Sequence, residues 1–396
     1  MQAYLRADGR KGIRNLVIVA YLVECAHHVA REIALPLRDQ GVHLVGFPGC
    51  YPNAYAARIM RQICTHPNVG AVLLVSLGCE SFDRHALIEE IRASGRPLHT
   101  LVIQESGGTT STIRDGQAWV QRALVEIQSV ARAELSASEL IVGTICGGSD
   151  ATSGLTANPA AGRAFDLLLE QGGMAIFEET GELIGCERLM ADRAVTPELG
   201  REIVAVVAKA EHYYRTLGHS SFAPGNAEGG LTTIEEKSLG AYSKSGNSRI
   251  AGLIKPGDVP PHAGLYLLDV VPDGEVRFGF PNISDNAEIV ELIACGCHLT
   301  LFTTGRGSVV GSAISPVIKI CANPHTYRNL SDDMDIDAGR ILEGRGTLEE
   351  VGREIFQRIL DVAAGQPTVS ERLGHQEFIL TYKAFEPIGP NCLPNR

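Results

Sequence analysis

Between Asn15 and Ala133, short apolar runs alternate with segments whose apolar positions recur at helical spacing. This is the pattern of βαβ units feeding a parallel sheet. The runs predict strands at Asn15–Leu22, His43–Phe47, Ala71–Ser76 and His99–Gln104. Helices are expected over Ala26–Arg38, Ala54–Thr65, Phe82–Ser94 and Gly116–Ala133, and in the last of these Trp119, Val120, Ala123, Leu124 and Ile127 fall on one face. The segment RAELSASE, Arg132–Glu139, is polar and serine-containing. It is the expected boundary between a Rossmann-like α/β domain, 1–135, and a larger C-terminal α/β catalytic domain, 136–396, with the active site at strand carboxyl ends between them.

A second series opens with a strand at Leu140–Thr144 and the turn CGGSDATSG. A helix follows from Asn158-Pro159 through Leu169, where proline in the first turn loses no hydrogen bond. Strands are expected at Ala175–Phe177, His298–Thr303 and Val317–Cys321, and an amphipathic helix at Thr347–Ala364. The stretch Pro224–Gly264 is rich in Gly, Pro and Ser and reads as irregular.

Four cysteines stand where predicted strands end: Cys25, Cys50, Cys79 and Cys146. Parallel strands present their carboxyl ends to one crevice, where open α/β sheets bind ligands. Thiolates converging there suit iron, zinc or an iron–sulfur cluster. The competing explanation is burial as small hydrophobes; Cys64, Cys186, Cys295, Cys297, Cys321 and Cys392 share no such placement and read as packing residues.

Other candidates lie in loops after strands. Gly147, Gly148, Ser149 and Asp150 precede a helix, so backbone N–H groups and short polar side chains form an anion site without a dinucleotide or Walker fingerprint. Glu105, in QESGGTT, is a base, a metal ligand or a solvated carboxylate. Glu178 and Glu179 follow a strand, and alternation lets only one reach a given site. In GNAEGGLTTIEEKSLG, Asn226 is a binding candidate and Lys237 a catalytic one. Glu235 and Glu236 there match a helix cap, since Thr233 stands at capping-box spacing. TTGRGS places Thr304 and Arg306 after a strand, and a guanidinium there can hold a carboxylate bidentately. The acidic run SDDMDIDAG lacks the glycine and terminal glutamate of a calcium loop and reads as a helix start or solvated loop.

Composition narrows the partners. A formal charge of −11 with no long Lys/Arg run argues against nucleic acid. The longest apolar stretches are too short to cross a membrane as a helix, and MQAYLRADGRKG lacks a secretory pattern. A cytoplasmic protein with reduced cysteines is the expectation, assembled as a homo-oligomer and acting on a small anionic carboxylate.

Taken together, GRKGIRN, HPNVGAVLLVSLGCE, IQESGGT, CGGSDATSGLTANPAAG, GNAEGGLTTIEEKSLG, FTTGRGSVVGSAISPVIKICANPHTY and MDIDAGRILEG resemble the altronate and galactarate dehydratase (UxaA-like) family. The resemblance runs over nearly the whole chain and extends to the large subunit of sulfolactate sulfo-lyase. It implies β-elimination on a 2,3-substituted acid, aided by Fe2+ or another divalent metal such as Mn2+, giving a 2-keto acid after tautomerisation. On that basis the cysteines take the metal or leaving-group role, Arg306 and the glycine loops hold the carboxylate, and Glu179, Lys237 and Glu105 compete as base. A single ion and a three-cysteine cluster both remain open. Sugar-acid dehydratases of the family begin with a small domain not seen in this sequence, so a separate small subunit is expected. Phe47-Pro48-Gly49-Cys50 also departs from the relatives' pattern, which has histidine before the Gly-Cys. The enzyme alternative is a carbon–sulfur lyase releasing sulfite, and the non-enzyme alternative a catalytically inert metabolite-binding subunit.

Overall fold

A computed structural model describes residues 1–218, 224–274 and 284–380. In chain order its first strands are β1 (Gln2–Leu5), β2 (Lys11–Gly12), β3 (Leu16–Tyr21), β4 (Val42–Gly46), β5 (Val69–Ser76), β6 (Leu98–Val102) and β7 (Arg132–Glu134). Then follow β8 (Ile141–Cys146), β9 (Met174–Phe177), β10 (Ile250–Ile254), β11 (Gly264–Leu268), β12 (Leu299–Thr304), β13 (Val317–Cys321) and β14 (Ile336–Asp337). Two parallel sheets result, one of order β4-β3-β5-β6 and one of order β10-β11-β9-β8-β12-β13-β14. The expected α/β class is therefore observed. Strand β5 is buried at every position, as a parallel strand covered on both faces must be.

The two sheets share one apolar layer. Helices Ala54–Cys64 and Arg84–Ala93 of the first unit and Asp285–Ala294 of the second fill it, with Ile18 and Leu74 from one sheet and Ile145 and Phe302 from the other. Each fully buried Leu, Ile or Phe there contributes about 1.5–3 kcal/mol. Helices Glu24–Ala34 and Thr109–Glu126 cover the outer face of the four-stranded sheet. Helices Ala157–Glu170 and Leu348–Ala363 cover the outer face of the seven-stranded one. Polar clasps add to this: Tyr55 donates to Glu291 Oε1 at 2.7 Å, and Arg14 grips Glu371 with both ends of its fork at 2.6 and 2.9 Å.

Differences from the sequence expectations have physical causes. Arg132–Glu134, inside the polar stretch read as a boundary, pairs antiparallel with β1, which in turn pairs with β2. So short an edge strand needs its distant partner to exist, and no local alternation reveals it. The helix expected from Gly116 begins at Thr109, directly after the Gly107-Gly108 turn. Pro224–Gly264 contains helices Pro224–Glu228 and Ile234–Ser243 and strand β10. Helix Asp285–Ala294 is buried at every position from Ala287 to Ala294, so no amphipathic stripe announces it. The amphipathic helix expected at Thr347–Ala364 is observed as Leu348–Ala363, opened by a Thr347/Glu350 capping box. Asp335 and Asp337 of the acidic run are taken up by Arg358, at 2.9 Å, and by the Arg340 N–H, at 3.1 Å. Cys392 lies outside the described residues. Among them, no helix is long and apolar enough to cross a membrane.

One close contact positions the site. A Cβ on Gly162 would stand 2.2 Å from the Ser243 carbonyl oxygen and 2.7 Å from the Gly246 nitrogen, so helix Ala157–Glu170 sits directly against the turn carrying Lys244. We expect Gly162→Ala to lower unfolding free energy by about 1–3 kcal/mol, through overpacking against backbone. Urea denaturation reads this directly, and an unchanged midpoint would show that the turn yields freely.

Candidate active site

In the seven-stranded sheet, β8 is flanked by β9 on one side and β12 on the other. The chain leaves β8 in one direction and later returns on the other side, so a crevice opens at the carboxyl ends of these strands. Cys146, the last residue of β8, lies buried at that point. Glu179 follows β9, and Glu182 closes the turn Thr180–Glu182. Cys146 Sγ is 3.2 Å from Glu179 Oε1 and 3.2 Å from Glu182 Oε2. The Cys146 N–H donates to Glu179 Oε2 at 3.2 Å. Glu179 has φ 72°, a left-handed backbone that costs a non-glycine residue of order 1–3 kcal/mol and clusters at functional sites.

Two buried lysines close the group. Lys237, on helix Ile234–Ser243, pairs with Glu182 Oε1, and Lys244, just past that helix, pairs with Glu179 Oε2. Each carboxylate thus turns one oxygen toward the thiol and the other toward an ammonium. Burial pushes the Cys146 thiol well up, and the two carboxylates push it further. Burial and the neighbouring Glu182 also raise Glu179, to about 7. Glu182 moves the other way, below the usual carboxylate range: burial opposes this, but the ammoniums of Lys237 and Lys244 prevail. Both lysines stay above their ordinary value because the acidic neighbours outweigh burial. Asp285, at the start of helix Asp285–Ala294, is raised to about 6 by burial and by Glu182.

The glycine loop after β8 is sewn to the loop after β12. The Gly147 N–H donates to Thr303 carbonyl at 2.9 Å. The Gly148 carbonyl accepts from Gly305 N, Arg306 N and Thr304 Oγ1, each at 3.0 Å. No side chain fits at Gly147, where a Cβ would meet Phe302 at 2.5 Å and Asp285 Oδ2 at 3.2 Å. The Ser149 N–H donates to Asn226 Oδ1 at 3.1 Å, and Ser149 Oγ stands 3.7 Å from Cys146 Sγ. Asp150 is a buttress: it accepts from Thr152 N at 2.8 Å and from Asn323 Nδ2 at 2.8 Å. Arg306 is exposed at the rim and reaches Glu228 Oε2 at 3.3 Å.

The structure therefore gathers Cys146, Gly147, Gly148, Ser149, Asp150, Glu179, Asn226, Lys237, Thr304 and Arg306 at one sheet edge. Cys25, Cys50, Cys79 and Glu105 belong to the carboxyl edge of the other sheet and are exposed. Among the described residues, the group of metal-ligand type that includes Cys146 is completed by Glu179 and Glu182, their ligand atoms lying within 4.8 Å of one another. Thiol plus carboxylates is a donor set suited to a borderline divalent ion. Glu236 caps its helix at the surface, receiving from the Thr232 N–H at 2.8 Å. Glu178 diverges from Glu179, its charge felt by Tyr55, Cys295 and Cys297.

Sequence reasoning missed Glu182, Lys244 and Asp285. Two signals were present. Glu182 follows Glu179 by three positions, and Lys244 follows Lys237 by seven, two helical turns on one face. Asp285 carried none.

Comparison with known proteins agrees with this arrangement. Residues 137–385 match the model of D-galactarate/altronate dehydratase, C-terminal, and residues 3–128 that of D-galactarate dehydratase/altronate hydrolase, second domain. The chain is 34% identical to the (2R)-sulfolactate sulfo-lyase subunit beta of Chromohalobacter salexigens, over 96% of each chain. It is 33% identical to the galactarate dehydratase (L-threo-forming) of Escherichia coli, over 94% of this chain and 74% of the relative. With the altronate dehydratase of Bacillus subtilis the identity is 29%, over 96% and 77%. Whole-length matches of this kind, shared with hydro-lyases and a sulfo-lyase subunit alike, mean that the chain is a lyase and belongs to the D-galactarate/altronate dehydratase family.

Proposed function

We propose that this lyase eliminates water from a small hydroxy acid or sugar acid of the altronate or galactarate kind, giving a 2-keto acid after tautomerisation. The observation that carries the proposal is the buried pair Glu179 and Glu182, whose protonation preferences are driven apart beside one thiol and two ammoniums. Such divergence is how one site supplies groups in different protonation states at neutral pH.

In this reading Glu179 takes the proton next to the substrate carboxylate. Lys237 and Lys244, held charged, stabilise the enolate-like negative charge that builds up. The substrate carboxylate lies against the glycine loop and Ser149, with Arg306 at the rim and Asn226, Thr304 and Asp150 holding the loops in place. A divalent ion, ferrous or manganous, belongs to the proposal because the thiol-side oxygens of Glu179 and Glu182 and Cys146 Sγ form a fitting donor set, with the lysines on the outer oxygens as supporting partners. Bound there, it would supply Lewis-acid assistance to the departing group.

A second reading has its own support, the 34% identity over 96% of both chains with a sulfo-lyase subunit named beta. It is carbon–sulfur elimination releasing sulfite from sulfolactate, together with a separate small subunit. One experiment separates the two. The chain, purified anaerobically and supplied with ferrous iron, is incubated with altronate, galactarate or sulfolactate while keto acid and sulfite are followed. Keto acid from a sugar acid is the expected result. Sulfite from sulfolactate, with the sugar acids untouched, would replace the first reading by the second.

A further inference from the structure

A cavity of about 380 Å³ opens where the first unit meets the second. His43 on its wall is the second residue of β4, and Ser315 stands just before β13, so the cavity lies at the amino ends of both parallel sheets. Cys146, by contrast, closes the carboxyl end of β8. A five-residue strand such as β13 spans about 16 Å, and none of the residues gathered around Cys146 lines the cavity. Concave spaces of this size between domains are where small ligands ordinarily bind.

The lining is cationic in effect. Arg38 comes from the turn Leu35–Gln40 of the first unit and Arg372 from the helix Val369–Leu373 of the second. Two carboxylates share the walls, and neither takes up these guanidiniums. Glu371 is held by both ends of the Arg14 fork at 2.6 and 2.9 Å, and Asp39 is turned to solvent, 3.5 Å from Arg38 Nε. Arg372 gives one N–H to the Pro367 carbonyl at 3.2 Å, so most donors of each fork are unused among the described residues. Two histidines add further donors. The Ile314 N–H donates to His43 Nδ1 at 2.9 Å, and burial holds this ring down to about 4 and therefore neutral, so its proton sits on Nε2. His375 Nδ1 is buried with no partner among the described residues. A buried polar atom left in that way costs free energy that a bound partner would recover.

We propose that this cavity binds a small dicarboxylate, one carboxylate in the Arg38 fork and the other in the Arg372 fork, with His43 Nε2 and His375 Nδ1 donating to the remaining oxygens. The planar guanidinium matches a carboxylate bidentately, and one fork on each unit favours a ligand with two such groups over a ligand with one. Such a ligand ties the first unit to the second. Because it binds the folded chain and not the unfolded one, its occupancy raises stability as its concentration passes Kd.

Succinate is the probe, since it has two carboxylates and no hydroxyl for the lyase site to eliminate. The full chain is titrated with it by calorimetry and melted with and without it. Wild type is expected to bind succinate more tightly than butyrate, which has one carboxylate, and to melt at a higher temperature in its presence. R38Q/R372Q is expected to lose about tenfold or more in succinate affinity, as removal of charge-assisted contacts implies, and to lose the rise in melting temperature. R92Q/R201Q removes the same charge from exposed helix positions and is expected to bind as wild type does. Equal succinate affinity in wild type and R38Q/R372Q, the result if succinate sits only at the lyase site, overturns the proposal. So does butyrate or inorganic phosphate bound as tightly as succinate, or no binding to wild type. The single variants R38Q and R372Q keep the test decisive should the pair not fold: each is expected to weaken binding, and unchanged affinity in both overturns the proposal.

Discussion

Glu179→Gln is expected to lower turnover by about 10²–10⁴-fold, the range that a positioned general base supplies. Glutamine keeps the size of the side chain and can still accept from the Cys146 N–H, but it leaves Lys244 buried without its counter-charge, so unfolding free energy should fall by about 3–5 kcal/mol; turnover is therefore read per folded chain, and KM should move far less than kcat. The proton-transfer role has a signature that a merely structural role would not affect. In deuterated water, wild-type protein should exchange the hydrogen next to the substrate carboxylate, and the variant should not. The pH dependence has a definite sign. The base acts when ionised and its carboxyl is raised to about 7 by burial and Glu182, so kcat/KM should rise with pH across neutrality and fall below it. Retention of exchange in the variant, or an activity flat across that range, would remove Glu179 from the role of base.

Lys244→Met is expected to cost stability as well as activity. The Lys244 and Glu179 side chains are 2% and 4% exposed and face each other as an ion pair. Their formation took two charges out of water, and removing one leaves the other buried without its counter-charge, at a penalty of about 3–5 kcal/mol. Denaturant unfolding of the variant should show that loss. The companion change Glu179→Gln in the same chain should recover much of it, because no bare charge then remains. A double variant as unstable as Lys244→Met alone would mean that packing of the long side chain, and not charge, sets the cost. Surface pairs such as Arg92 with Glu89, both largely exposed, should by comparison contribute about 0–1 kcal/mol.

Much of the local architecture was present in the order of residues. Apolar runs bounded by turn residues located β3, β4, β5, β8, β12 and β13 to within two or three residues, because strands buried on both faces must be continuously apolar. Glycine-rich loops after β8 and β12 were visible because close backbone approach excludes side chains, as at Gly147. The cap at Thr233 was visible because capping is local, spanning three residues. Three members of the buried cluster, Cys146, Glu179 and Lys237, were identified as candidates from their positions after strands or beside a glycine-rich loop.

What only the tertiary structure decided is which strand ends become neighbours. Four strand-end cysteines look equivalent in the sequence, yet β8 enters one sheet while β3, β4 and β5 enter another, so Cys146 meets carboxylates and the other three meet each other's strands. Strand order depends on pairing between segments far apart, which no local periodicity encodes. The partners of the charges are equally remote: Lys237 and Glu182 are 55 residues apart in the chain, and Lys244 and Glu179 are 65. Their protonation follows from burial and from neighbours that folding alone supplies. The sequence by itself thus determined the central buried strands, the glycine loops and the family; the fold decided the short edge strands, the fully buried helix and which side chains share a site, because only packing brings distant charges into one low-dielectric space.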